Sequence, residues 1–124
     1  MHADNQVGGL DPDSPYVELA VEVFSMLADA TRVRIIMALR GAGELSVNHL
    51  ADIVDKSPAA VSQHLAKLRM ARMVSTRQDG TRVFYGLADE HGAALVNDAI
   101  MQAEHSVSTG SLPPHHHGQI GASA

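Results

Sequence analysis

At 124 residues, 45% apolar and 19% charged, the chain suits one globular domain rather than two ordinary domains or a disordered segment. It has no cysteine, which excludes disulfides, thiolate metal sites, cysteine nucleophiles and iron–sulfur clusters, and 3% aromatic residues are too few for single-strand stacking platforms. A formal net charge of −5 counts, as a total, against nucleic-acid binding, while eight His leave a metal site of imidazole and carboxylate groups open.

Residues 1–14 hold Gly, Asp, Asn and Pro without periodicity and read as a flexible N-terminal arm. The opening MHADNQVGGLDPDSP lacks the basic and apolar regions of a signal peptide, and no apolar run approaches a membrane helix. A cytoplasmic protein with no membrane partner is expected. From residue 16 to 27, Val17, Ala20, Val21, Phe24 and Leu27 recur at steps of three and four, an amphipathic helix. Asp29 is a good N-cap for a second helix, with Val33, Ile36, Met37 and Leu39 facing inward and Gly41 and Gly43 ending it. Ser46 can cap a short third helix through Val54, buried along Val47, Leu50 and Ile53. Asp55, Lys56 and Ser57 make a tight turn.

A fourth helix follows, capped by Ser57, with Pro58 at the first helical position, where its missing N–H costs nothing. Val61, Leu65 and Leu68 form its buried face. Ser62, Gln63 and Lys67 lie opposite, with His64 near the edge. Then the period changes. Two strand-like runs, 74–78 and 81–86, flank Asp79-Gly80, a strong hairpin signal. A last helix spans about 89–105, with Ala94, Leu95, Ala99 and Ile100 among its apolar positions. Residues 106–124 are rich in Gly, Ser, Pro and His and read as a flexible His-containing tail.

The order is helix, helix, helix–turn–helix, hairpin, helix. That predicts a mainly α fold with a β-hairpin wing, a dimeric winged helix-turn-helix whose DNA-binding and dimerisation domain covers 15–105. The charge distribution agrees. Between Lys56 and Arg82 stand six basic residues and one acid, while the rest of the chain carries three basic residues and thirteen acids. A basic segment in an acidic protein is the electrostatic footprint of phosphate contact.

The segments LADATRVRIIMALR (27–40), ELSVNHLAD (44–52), SPAAVSQHLAKLRMARMV (57–74) and QDGTRVFYGL (78–87) resemble, in register, the ArsR/SmtB family of bacterial metal-sensing repressors. The resemblance implies a dimer that blocks transcription and releases its operator when an inducer binds. Family members often carry a soft-metal site in a stretch like ELCVCDL. Here Ser46 and Asn48 stand where the two Cys would be, which argues against arsenite, cadmium or lead, all of which want thiolates. A second family site lies on the last helix, with Asp-x-His near its start and His-x-x-His near its end. Asp89 and His91 match the first half. The second half has Gln102 in place of one His, followed by Glu104 and His105. Resemblance to the nickel- and cobalt-sensing members maps ligands onto His91, Glu104, His105 and two of His115, His116 and His117. Ni(II) or Co(II) is then the expected metal. Zn(II), needing four ligands, is the alternative, with Asp89, His91, His105 and one further group.

Geometry favours a shared site. His91 and His105 are 14 residues apart, roughly 21 Å along a helix, too far for one ion with bonds of about 2 Å. Two such helices packed antiparallel bring His91 of one chain beside His105 of the other, giving two equivalent sites per homodimer. His49 reads as a surface residue.

In a helix-turn-helix the second helix enters the major groove of double-stranded DNA with its N-terminal residues at base edges. Those residues are Ser57, Ala59, Ala60, Ser62, Gln63 and His64. Gln63 can pair bidentately with adenine, and Lys67, Arg69, Arg77 and Arg82 are candidate phosphate contacts. The expected function is a repressor that binds operator DNA as an apo homodimer, is released by its metal inducer and controls metal efflux or resistance genes. The alternatives are a zinc-sensing repressor and a winged-helix regulator of a non-metal signal. No nucleophile–base pair or Gly-rich phosphate loop supports an enzyme.

Overall fold

The computed structural model describes residues 10–108. In chain order these form α1 (Val17–Leu27), α2 (Ala30–Ala42), β1 (Glu44–Leu45), α3 (Val47–Val54), α4 (Pro58–Met70), β2 (Val74–Asp79), β3 (Arg82–Leu87) and α5 (His91–Ser108). This is the winged helix-turn-helix order, with α3 and α4 as the helix–turn–helix and β2–β3 as the wing. The described residues divide between Asp89 and Glu90 into two compact units, the first holding α1 to β3 and the second α5. No helix among them is long and apolar enough to cross a membrane. Most of the expected tail, with His115 to His117, and residues 1–9 of the expected arm lie outside the described residues.

Side-chain caps set three helix starts. Asp29 Oδ1 accepts from the Arg32 N–H at 3.0 Å, Ser46 Oγ from the His49 N–H at 3.2 Å, and Ser57 Oγ from the Ala60 N–H at 3.1 Å. Each satisfies a first-turn donor that the helix itself leaves open. The Arg32 N–H holds the Asp29 carboxyl below its ordinary value, with smaller help from the nearby His64 and the Arg32 charge. Asp29→Ala is therefore expected to cost about 1 kcal/mol at neutral pH. A carboxylate with a lowered folded-state value gives its full contribution above the ordinary range and loses it as pH falls through the lowered value. Thermal melts of the variant and the parent chain should differ at pH 7 and converge in acid.

Two helix ends use left-handed residues. After α3, Asp55 has φ 58° and the Lys56 N–H closes on the Ala51 carbonyl at 3.1 Å. After α4, Arg72 has φ 61° and the Met73 N–H closes on the Leu68 carbonyl at 2.9 Å. The same backbone device thus turns the chain into α4 and out of it.

The core of the first unit is Ile35, Ile36 and Leu39 of α2, Leu45 of β1, Leu50, Ala51 and Val54 of α3, Val61, Leu65 and Leu68 of α4, and Val74 of β2. The α4 face is the expected one; those of α2 and α3 are rotated. Met37 is 48% exposed and Ile53 is 52% exposed, and Ile35, Ala51 and Val54 take the inward positions. In α2 the run VRIIMAL is apolar at all but one position, so periodicity alone does not choose the face. Gly41 lies inside α2, and Gly43, at φ 90°, caps it.

The sheet order is β1-β3-β2, antiparallel throughout. β1 pairs Glu44 with Gly86 and Leu45 with Tyr85. It is only two residues long, below what alternation can signal. In the wing Asp79 pairs with Arg82, so the turn is Gly80-Thr81, one residue later than the sequence suggests. Gly80 supplies the positive φ, at 64°. A Cβ on Gly86 would sit 3.1 Å from the Gly43 carbonyl oxygen, a tight approach that favours glycine opposite the start of β1.

The second unit is α5, starting two residues later than expected. Its buried residues are Gly92, Ala93 and Val96, whereas Ala94, Leu95 and Ala99 are exposed and Ile100 is half-buried. Small and apolar residues are spread around this helix, which hides its buried positions from a periodicity count.

Candidate nucleic-acid interface and metal ligands

The first turns of α4 place short side chains outward. Ala59, Ser62 and Gln63 are exposed. Ser57 is exposed too, and its hydroxyl accepts the Ala60 N–H as the cap. His64 is half-buried, and its Nδ1 accepts a hydrogen bond from Arg32 Nε at 3.0 Å. Lys67 and Arg69 lie exposed in the last turn of α4. An open groove of about 450 Å³ runs beside that helix, lined by Ser62, Ala66, Arg69, Met70 and Tyr85. Tyr85 belongs to the wing, so α4 and β3 border one depression.

The wing arginines are held by their own sheet. Arg77 pairs with Glu44 at 2.9 Å, its Nε also donates to both carboxylate oxygens at 3.0 Å, and its guanidinium sits 4.9 Å from the Phe84 ring centroid. Register explains the reach: Arg77 opposes Phe84, and Gly86, two residues on, leaves the sheet face open towards Glu44. Arg77 holds the Glu44 carboxyl below its ordinary value, and Glu44 in turn raises Arg77. Arg82 also stacks 4.9 Å from the centroid of Phe84 and forms no ion pair with a carboxylate among the described residues. Arg82 is thus better placed than Arg77 to give its full charge to a phosphate.

Of the metal-ligand candidates, Asp89 ends the first unit, and His91 opens α5. Glu104 and His105 lie in the last turns of α5; His91, Glu104 and His105 are exposed. Gln102, in the family's His position, donates to Ser106 Oγ at 3.4 Å. Among the described residues no three His, Asp or Glu come together as a metal site. The donors present are imidazoles and carboxylates, which suit nickel, cobalt or zinc better than thiophilic ions. His49 is exposed on α3. Sequence reasoning missed both Glu44, which holds Arg77, and Arg32. Arg32 joins three helices, and nothing in its local sequence announces a partner 32 positions away.

Residues 29–76 match the family described as bacterial regulatory protein, arsR family. The match runs from the Asp29 cap through α4 into β2. The chain is 52% identical to the HTH-type transcriptional regulator KmtR of Mycobacterium tuberculosis, over 98% of this chain and 88% of that protein. The chain belongs to the ArsR family of bacterial regulatory proteins. A cadmium resistance transcriptional regulatory protein CadC homolog of Staphylococcus aureus is 38% identical over 72% of this chain and 74% of its own length. Among solved structures, a homodimeric winged helix-turn-helix DNA-binding domain from Mycobacterium bovis, a possible ArsR-family regulator, superposes with a TM-score of 0.62. It is 28% identical and covers 88% of this chain and 95% of that one. As an ArsR-family member the chain is a DNA-binding transcriptional regulator, not an enzyme.

Proposed function

We propose that the chain is a metal-responsive repressor that binds operator DNA as a metal-free homodimer and releases it when Ni(II) or Co(II) binds. The observation that carries the reading is α4: a capped helix with Ser62 and Gln63 exposed in its first turns and basic residues at its end, inside an otherwise acidic chain. The similarity to a cadmium-resistance regulator supports metal as the signal, and the homodimeric M. bovis domain supports the dimer. The absence of cysteine and the His91, Glu104 and His105 set favour harder, imidazole-binding ions over cadmium. A repressor acts on the chromosome, so it works in the cytoplasm.

Residues 15–105 then serve DNA binding and pairing, and the His-containing tail supplies further ligands from His115 and His116. Ser57, Ala59, Ser62, Gln63 and His64 face the major groove, and Lys67, Arg69, Arg77 and Arg82 face phosphates. His91, Glu104, His105 and the tail imidazoles hold the metal, with Asp89 as a further donor. Titration of a fluorescent operator fragment with the chain, with and without nickel, cobalt or zinc, tests this directly. Nickel or cobalt is expected to weaken binding most. Release by zinc alone would reassign the metal, and no release by any of the three would remove metal from the mechanism.

The same assay separates reading from positioning. Gln63→Ala is expected to lose about 1–3 kcal/mol of discrimination at one base step and to keep nonspecific binding. Arg82→Ala should weaken all sequences alike and flatten the salt dependence by about one phosphate contact. Equal loss on operator and random DNA with Gln63→Ala would show that base readout lies elsewhere.

A further inference from the structure

One guanidinium ties three helices together. The Arg32 backbone N–H bonds the Asp29 cap of α2. Its Nη1 donates to the Met26 carbonyl at 3.1 Å and lies 3.4 Å from the Met26 sulfur. Its Nε donates to His64 Nδ1 of α4 at 3.0 Å. Met26 is in the last turn of α1, where carbonyls have no partner within their own helix. Arg32 therefore closes the end of α1 and grips α4 with a different edge of the same planar group.

The bond to His64 has a chemical consequence. Arginine is always protonated and donates only, so Nδ1 must be the unprotonated, accepting nitrogen. The ring proton is then on Nε2, on the far side of the imidazole from Arg32. We propose that Arg32 is a positioning residue for operator recognition, locking His64 as an Nε2–H donor on the face of α4 that meets DNA. The inference rests on the DNA-facing role proposed for α4. A donor-only His64 selects acceptors: phosphate oxygen, guanine O6 and N7, adenine N7 or thymine O4. It offers nothing to the cytosine amino group. Lysine at position 32 keeps the charge but lacks the fork that reaches Met26 and His64 together.

The test has two arms. The first needs no DNA. Nitrogen-15 shifts of the His64 ring in the full chain at pH 8 should show a single Nε2–H tautomer, and Arg32→Lys should turn it into a tautomer mixture while the chain stays folded by circular dichroism. A mixture already present in the parent chain would overturn the lock.

The second arm is operator binding by a double-mutant cycle. Arg32→Lys and His64→Ala should each lose about tenfold in operator affinity, the scale of a hydrogen bond to a charged group. The double variant should lose little more than either, because both act at one place. His64→Gln, whose amide NH₂ stands near the Nε2 position, should recover most of the affinity and be indifferent to Arg32→Lys. His64→Asn, which keeps the acceptor and loses the outer donor, should not recover it. Additive losses would show that Arg32 acts without His64 and would overturn the proposal. If His64→Ala binds operator like the parent chain while the tautomer is fixed, the DNA-facing role of His64 falls and the proposal with it.

Discussion

His91→Ala and His105→Ala should each abolish metal-induced release of operator DNA and leave metal-free binding nearly intact. Both residues lie on α5, outside the α3–α4 helix–turn–helix, so their loss removes proposed ligands without touching the groups proposed to meet DNA. The quantity at stake is a coupling free energy of about 1–3 kcal/mol, a fivefold to 150-fold weakening of DNA binding by metal. It is reciprocal: operator DNA must weaken metal binding by the same factor, which calorimetry with and without DNA checks. Mixing the two variants tests the shared site. In a heterodimer, one site lacks both imidazoles and the other is whole, so half of the metal stoichiometry should return. If no heterodimer binds metal, the ligands come from within one chain or from elsewhere, and the antiparallel arrangement is wrong. Truncation after Gly110 removes His115 to His117 and should weaken the nickel and cobalt responses more than the zinc response, since zinc needs fewer ligands.

The parts of this fold that the sequence made legible are those with a local cause. Asp29, Ser46 and Ser57 are caps because a short oxygen-bearing side chain before an apolar run satisfies first-turn N–H groups, and each does so in the structure. Val61, Leu65 and Leu68 were readable because polar residues separate them. Where apolar residues crowd, as in α2 and in the LADIV end of α3, the face is not readable, and Met37 of α2 and Ile53 of α3 turn outward. Features with partners far along the chain were invisible: β1 against β3, the Glu44–Arg77 pair across Gly86, and Arg32 on His64. The proposed metal ligands are a different case. Their types and spacing are readable in the sequence, but no cluster of His, Asp or Glu forms among the described residues, and the proposed site would draw on two chains and the tail.

Substituting the α1 face should dissolve the dimer and, with it, tight operator binding. Val17, Val21 and Phe24 follow each other at steps of four and three on α1, and none is buried in the chain. Phe24 is 58% exposed and Val21 is 59% exposed. Burying a whole side chain of this kind is worth roughly 1.5–3 kcal/mol, so covering the open part contributes about 1–1.5 kcal/mol per residue. Each residue occurs twice across a twofold interface. Val21→Ser with Phe24→Ser should therefore weaken pairing by roughly 5 kcal/mol, three to four powers of ten. Analytical ultracentrifugation in chelator should find the parent chain dimeric at micromolar concentration and the double variant monomeric. The variant's circular dichroism should stay near the parent's, because neither side chain belongs to the first-unit core. Operator affinity should fall steeply, since a monomer engages one half-site and loses the second recognition helix. A parent chain that is monomeric in chelator yet binds operator tightly would sink the metal-free dimer. A double variant that remains dimeric would place the interface on a face other than that of α1.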